Sequence, residues 1–387
     1  MHGAANSWST TTSELFERIR QSIENDSPLA IATVVNVKGT AYRRPGAKMG
    51  IGPDGTTYGG ITAGCLRNPL QTVASEVLES GSPTVITYDL SDDDNWGLGL
   101  GCNGVIDVLI EPVDESWQQA VDTYANRQAC SLVTVVESSD SSIPVGTRTS
   151  MLEARSGCDE HAHDHSRVSL PNSVVDDIRE HARTCTVDER VDRISIPTAT
   201  GELVLFVDGI VPPQQLVIFG SQPDTQAVAD LASQVGLHVT VATARGGRAS
   251  HDVFPAAERI LAVHPTDLPE AGLDERTAVV IMSHNFIDDR LALEAALETE
   301  VPYIGLMGPR KRFKAIESAL KDDGTDLSER DRSRIAAPVG LDLGSGEPIE
   351  IALSIVSEVI AVGHGHTGGR LTDRTDPIHD RQLVSLD

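Results

Sequence analysis

Two glycine-rich stretches, each carrying a cysteine, hold the residue types best suited to chemistry in this chain. The first is Gly97-Leu98-Gly99-Leu100-Gly101-Cys102-Asn103-Gly104. Glycine loses more backbone freedom on folding than any other residue, so such a run persists where a positive φ or close approach of backbone to a ligand is needed. The second, Gly59-Gly60-Ile61-Thr62-Ala63-Gly64-Cys65-Leu66, leads to Pro69. That proline reads as a helix start, where main-chain N–H groups favour anions. Together the stretches are expected to form one ligand site, with Gly64, Gly99, Gly101 and Gly104 offering backbone and Cys65 and Cys102 standing beside it.

The elements that must position these loops follow from periodicity and punctuation. Thr11-x-x-Glu14 is a capping box for a helix whose apolar positions Leu15, Phe16, Ile19 and Ile23 recur at helical spacing. Apolar, β-branched runs over residues 29–37, 48–51, 56–61, 84–88 and 105–110 predict strands, with a turn at Pro53-Asp54-Gly55 and a helix over 69–78. An α+β domain over 1–112 results. Residues 113–213 read as a degenerate repeat and linker: a helix over 117–127, a run over 131–136 that echoes 29–37, and Gly146-Thr147-Arg148 that echoes Gly46-Ala47-Lys48. A helix over 174–182 and a strand over 203–207 complete it, but it lacks both glycine-thiol loops. Within it, Cys158-Asp159-Glu160-His161-Ala162-His163-Asp164-His165 has the donor types of a zinc site, although a polar acidic loop without apolar anchors reads better as a solvated insertion.

After Val211-Pro212-Pro213 the pattern changes to alternating strands and helices, which predicts a Rossmann-like parallel-sheet domain over 214–363, followed by a polar, mobile tail over 364–387. In such sheets ligands sit beyond the carboxyl ends of the strands. The residues at those ends are Gly220-Ser221-Gln222, Thr243-Ala244-Arg245, Ser283-His284-Asn285 and Met307-Gly308-Pro309-Arg310. Gly220, Ser221, Arg245, His284, Asn285, Gly308 and Arg310 are therefore expected to line one crevice. The dinucleotide fingerprint is broken there: no second glycine follows Gly220 at the pyrophosphate position, and the second strand ends without a ribose-binding acid. Arg245 is the one group offered to a 2′-phosphate.

Composition limits the partners. The chain has 387 residues and a net charge of −26, from 57 acidic against 31 basic side chains. An acidic excess spread along the whole length excludes a basic face for nucleic acid and reads as adaptation to high salt. No apolar run approaches the roughly 20 residues that cross a bilayer, so no membrane partner is expected. The start, residues 1–12, has no basic region followed by an apolar core, which predicts a cytoplasmic protein. Five cysteines without a CxxC pair predict free thiols in a reducing compartment.

Arg43-Arg44-Pro45-Gly46-Ala47, Ala63-Gly64-Cys65-Leu66, Tyr88-Asp89-Leu90, the run Gly97 to Gly104 and Ile110-Glu111-Pro112 together resemble the amino-terminal domain of the XdhC/CoxI family. Ser283-His284-Asn285, Tyr303-Ile304-Gly305-Leu306-Met307-Gly308-Pro309-Arg310 and Pro338-Val339-Gly340-Leu341-Asp342-Leu343-Gly344 match its Rossmann-like carboxyl-terminal domain. The resemblance implies an α/β protein, an XdhC/CoxI-type α+β domain followed by a Rossmann-like domain. It further implies a maturation factor for xanthine dehydrogenase or carbon monoxide dehydrogenase. Such a protein binds molybdenum cofactor (molybdopterin), assists its sulfuration with a cysteine desulfurase, hands it to an apo molybdenum hydroxylase, and forms a homodimer. On that resemblance Arg43 and Arg44 offer guanidinium forks to phosphate or pterin, and a thiolate of Cys65 or Cys102 ligates molybdenum or accepts sulfur.

A cofactor-binding chaperone without turnover of its own is the leading function. An NAD(P)-dependent oxidoreductase using the carboxyl-terminal crevice is the alternative, weakened by the broken fingerprint. A metal- or sulfur-trafficking protein working through Cys158 and the His-rich tract comes last.

Overall fold

The computed structural model describes residues 8–90, 104–152, 170–244, 246–344 and 346–373. The chain divides between Pro212 and Pro213 into two compact units.

The amino-terminal unit opens with α1 (Thr12–Glu24), whose capping box forms as expected: the Thr11 side chain accepts from Glu14 N and Glu14 answers to Thr11 N. A five-stranded antiparallel sheet follows, in the order β3-β2-β1-β5-β4, built from β1 (Ala30–Gly39), β2 (Lys48–Ile51), β3 (Thr57–Gly59), β4 (Thr84–Asp89) and β5 (Gly104–Pro112). Between β3 and β4, α2 runs over Arg67–Ser80 and ends on Gly81 in the left-handed conformation. It begins two residues before Pro69, the expected start. Leu66, Leu70, Ala74 and Val77 lay this helix on Ala30, Ala32 and Val34 of β1 and on Ile106, Val108 and Ile110 of β5.

The second half of the unit repeats this connectivity. A 3-10 turn (Glu115–Trp117) and α3 (Gln118–Ala125) precede β6 (Cys130–Ser138) and β7 (Arg148–Leu152), then come α4 (Asn172–Val187), β8 (Val191–Pro197) and β9 (Glu202–Ile210). The four strands pair antiparallel in the order β7-β6-β9-β8. Main-chain bonds repeat as well: Val34 N to Ala47 O and Gly46 N to Val34 O recur as Val135 N to Thr147 O and Gly146 N to Val135 O. Both first strands carry a bulge at the matching place, between Val34 and Asn36 and between Val135 and Glu137.

Alternate residues of each sheet's first strand point to its helix, and the others face the companion sheet. Val133, Val135, Leu205 and Val207 meet α4, while Val136 and Phe206 pack against Val35 and Leu109 of the first sheet. This two-sided cover explains why residues 30–35 are buried without the polar alternation of a half-solvated antiparallel strand. Two buried ion pairs cross the sheet interface reciprocally. Lys48 of β2 pairs with Asp208 of β9, and Arg148 of β7 pairs with Glu111 of β5.

The carboxyl-terminal unit is a six-stranded parallel sheet in the order β12-β11-β10-β13-β14-β15. Its strands are β10 (Gln215–Phe219), β11 (His238–Thr243), β12 (Arg259–Ala262), β13 (Thr277–Ile281), β14 (Tyr303–Leu306) and the short β15 (Ile335–Ala336). The helices are α5 (Pro223–Gln234), α6 (Phe286–Leu297), α7 (Arg310–Asp322), α8 (Glu329–Arg334) and α9 (Pro348–Gly363). Val228, Ala232, Ile355 and Val359 of α5 and α9 cover one face, and Leu293, Ala296, Ile316 and Leu320 of α6 and α7 cover the other. Counted within the unit the strand order is 3-2-1-4-5-6, the doubly wound Rossmann arrangement, with its reversal between β10 and β13. The expected fold class is the observed one.

Candidate functional site

The first sheet gathers three loops at one end. β1 finishes at Gly39 opposite Gly104, where β5 begins, and β4 finishes beside Val105. β3 ends at Gly59 against Met49, so the segment leading to Cys65 leaves the sheet from that end too. The loop after β1 carries Arg43 and Arg44, both exposed, and Arg43 Nη1 donates to Gly60 O at 3.1 Å. Ala41, Cys65 and Leu90, one from each loop, pack against the same apolar cluster.

Cys65 is a half-buried free thiol. Gly64 before it has φ +109, and among the described residues nothing lies within 4 Å of the place a Cβ would take. Behind the thiol, α2 starts at Leu66 without a side-chain cap. Arg67 N is bonded to Gly64 O at 3.2 Å and Pro69, inside the first turn, has no N–H. The turn therefore offers an anion fewer donors than a start at Pro69 would, and Arg67 supplies a side-chain charge in their place.

Of the glycine run, Gly104 alone lies among the described residues. A Cβ on it would sit 2.3 Å from Thr40 O, so this glycine lets β5 pass close under the β1 loop. Gly99, Gly101 and Cys102 lie outside the described residues, as do Arg245 and the tract from Cys158 to His165.

Two aromatic side chains stand beside the gathered loops. Trp8 and Tyr42 are 43% and 53% exposed, their ring centroids are 5.8 Å apart, and the Trp8 ring covers Gly60. Sequence reasoning misses both, because an isolated aromatic carries no periodic signal. Tyr42 adjoins Arg43, and that adjacency is the one sequence feature that marks it.

The crevice of the second unit, about 590 Å³, opens at the carboxyl ends of β10, β11 and β13. Gly220, Ser221, His284 and Asn285 line it as expected; Gly308 and Arg310 are not among its lining residues. Gly220 is required by packing, since a Cβ there would lie 2.7 Å from Met282 O. Asn285 Oδ1 caps α6, accepting from Ile287 N and Asp288 N at 2.9 and 3.1 Å, so its side-chain acceptor is already committed. His284 sits at φ +60 and its Nε2 lies 2.7 Å from Asp224 Oδ2. Asp224 belongs to the first turn of α5 and Pro223 precedes it without an N–H. A carboxylate therefore holds the helix start at which a Rossmann domain receives pyrophosphate.

Arg248, which sequence reasoning also misses, lines the same crevice. Its Nη1 donates to Ser221 O at 3.1 Å and to Gln222 Oε1 at 3.0 Å, which ties the loop after β11 to the loop after β10. Gly246-Gly247 before it is the signal that could have found it. No helix among the described residues is long and apolar enough to cross a membrane.

Two family models match the chain in order, one described as the XdhC and CoxI family over residues 22–89 and one as the XdhC Rossmann domain over 216–359. The chain is 27% identical over 345 residues to a Bacillus subtilis protein named as a probable subunit of xanthine dehydrogenase, covering 87% of this chain and 94% of that one. It is 25% identical over 334 residues to the Escherichia coli molybdenum cofactor insertion chaperone PaoD, covering 86% and 82%. A crystal structure described as a xanthine dehydrogenase from Bacillus halodurans superposes with a TM-score of 0.67 at 28% identity, over 94% of this chain and 98% of that one. With both of its characteristic segments present in order on the expected fold, the chain belongs to the XdhC and CoxI family.

Proposed function

We propose that this protein binds molybdenum cofactor as cargo at the gathered loops of its amino-terminal unit and delivers it to an apo molybdenum hydroxylase of the xanthine or carbon monoxide dehydrogenase type. The observation that carries the reading is Cys65: a half-buried thiol between a left-handed Gly64 and the uncapped start of α2, at the sheet end from which Arg43 and Arg44 also project. The donor set suits the cargo. Guanidinium forks take a phosphate in two parallel hydrogen bonds, and soft sulfur suits molybdenum. The exposed rings of Tyr42 and Trp8 offer a face on which a flat pterin can stack. A maturation role is supported by the similarity to an insertion chaperone along most of both chains.

In this reading Arg43 and Arg44 hold the phosphate end, the backbone at Gly64 allows close approach, and Cys65, with Cys102, keeps sulfur at the metal end. Sulfuration then requires a cysteine desulfurase as donor, and action is stoichiometric rather than catalytic. The alternative, NAD(P) chemistry in the carboxyl-terminal crevice, is opposed by Asp224 at the start of α5.

The test is purification from cells that make the cofactor, followed by fluorescence of the oxidised pterin. Co-elution at one pterin per chain is expected, with a loss of most of the signal in Cys65→Ser and a lesser loss in Tyr42→Ala. Equal pterin content in the unaltered chain and the Arg43→Ala, Arg44→Ala and Cys65→Ser variants would remove the site from these loops.

A further inference from the structure

Away from both sites, the second half of the amino-terminal unit brings a histidine, a cysteine and an aspartate together. His181 and Cys185 are one helical turn apart on α4, so they share a face. Glu189, at φ +50, turns the chain back, Arg190 N closes on Cys185 O at 2.9 Å, and β8 then lays Asp192 across that face. One donor atom from each of the three residues lies within 4.8 Å of the other two.

We propose that His181, Cys185 and Asp192 form a binding site for a divalent cation of the zinc class, with a fourth position open to water. The donor set is one imidazole nitrogen, one sulfur and one carboxylate oxygen, which suits zinc or cobalt and not the all-oxygen preference of magnesium or calcium. A tetrahedral zinc ion holds such donors about 3.5 Å apart, within reach of small side-chain rotations from the present spacing.

Two features argue that the cluster is more than a buried ion pair. His181 Nε2 is shielded from solvent and lies 3.0 Å from Asp192 Oδ2 in a geometry that makes no hydrogen bond. Asp192 is 2% exposed, and its carboxylate accepts a hydrogen bond from the N–H of the next residue, Arg193, at 2.8 Å. A buried carboxylate held this weakly is costly, and a cation relieves that cost. The other charged groups bearing on the thiol are Arg190, whose side chain is hydrogen-bonded to it and gives way when the metal binds, and Asp208, of opposite sign. On binding, the Cys185 thiol gives its proton to solvent and the thiolate takes the metal. The imidazole binds neutral and the side chain of His181, 27% exposed, marks the way in. The pair of negative ligands then balances the charge of the ion.

The decisive experiment titrates the full chain with Zn²⁺ against a chromogenic chelator and with Co²⁺ by absorption. It is carried out in a background in which Cys158→Ser, His161→Ser, His163→Ser and His165→Ser remove the other histidine-rich donors. One equivalent of Zn²⁺ and a sulfur-to-cobalt charge-transfer band are expected. Cys185→Ser should abolish the band. Because loss of an outer-shell partner of a metal ligand already costs about 10–100-fold in affinity, His181→Ala and Asp192→Asn should each weaken binding at least tenfold. His181 is partly exposed, so its replacement is expected to leave the thermal midpoint of the metal-free chain close to that of the parent. Zinc affinity unchanged in His181→Ala and Asp192→Asn, or a cobalt spectrum without sulfur character in the parent, overturns the proposal. Neither outcome bears on the pterin content that tests the cargo site.

Discussion

A thiol is useful to a cargo only where water and ligand can reach it, and the three cysteines among the described residues differ in that respect. Cys130 and Cys185 are fully buried, and burial pushes their thiols up to about 12 and about 11, so at neutral pH both are protonated. Cys65 is the accessible one. Its loop is legible in the sequence because glycine clusters are costly unless backbone geometry needs them. The pairing of Trp8 with Tyr42 is not legible there, since only the fold brings Trp8 over Gly60 and beside Tyr42. A different residue governs local acid stability. Asp140 accepts from Ser142 N and Oγ at 2.9 and 2.6 Å, from Thr198 Oγ1 at 2.9 Å and from Thr200 Oγ1, which holds its carboxyl below the usual carboxylate range. A depressed carboxylate contributes stability above its unfolded pKa and loses it as the pH falls through the folded one. Asp140→Asn is therefore expected to lower the urea midpoint at pH 7 and to have a shrinking effect as the pH drops below about 4. A penalty that stays constant down to acid pH would show that the ionised form is not what the four donors stabilise.

Among the elements, the paired sheets depend on the two crossed ion pairs. Burial pushes the Glu111 carboxyl up while the Arg148 guanidinium beside it pulls the other way, and Arg148 also lies over the Trp117 ring at 4.4 Å. Removing one partner of a buried pair leaves an uncompensated charge and typically costs about 3–5 kcal/mol. Arg148→Ala should destabilise the amino-terminal unit by about that amount in urea unfolding at pH 7, whereas Arg179→Ala, which breaks an exposed pair with Asp176, should change stability by about 1 kcal/mol or less. Equal effects in the two variants would mean that the crossed pair is no more than surface decoration. The strands of the two sheets are readable from their β-branched runs, except β7, marked in the sequence only by the echo at Gly146-Thr147-Arg148, and β8. The β8 sequence, Val191 to Pro197, mixes charged and apolar residues and pairs only with β9, so no apolar run marks it.

Across the whole molecule, a charge of −26 sets self-repulsion against the packing of both units. Salt shortens the reach of that repulsion from about 10 Å at 0.1 M to about 3 Å at 1 M. The thermal midpoint is accordingly expected to rise as sodium chloride is raised through that range, and with it the urea midpoint at fixed temperature. A midpoint that is flat or falls with salt would show that favourable ion pairs, and not net repulsion, dominate the electrostatics of the chain.

The sequence by itself determined the fold class, since the switch from antiparallel runs to alternating strands and helices at Pro212-Pro213 is a matter of local periodicity. It also determined which loops are rich in glycine and where the dinucleotide fingerprint fails. Only the tertiary structure decided that Arg43, Cys65 and Gly104 share one end of a sheet. It alone decided that His284 meets Asp224 at the start of α5, and that His181, Cys185 and Asp192 converge. These are long-range relations fixed by strand register and by the turn at Glu189, and residue spacing along a chain carries no record of register until the strands have paired.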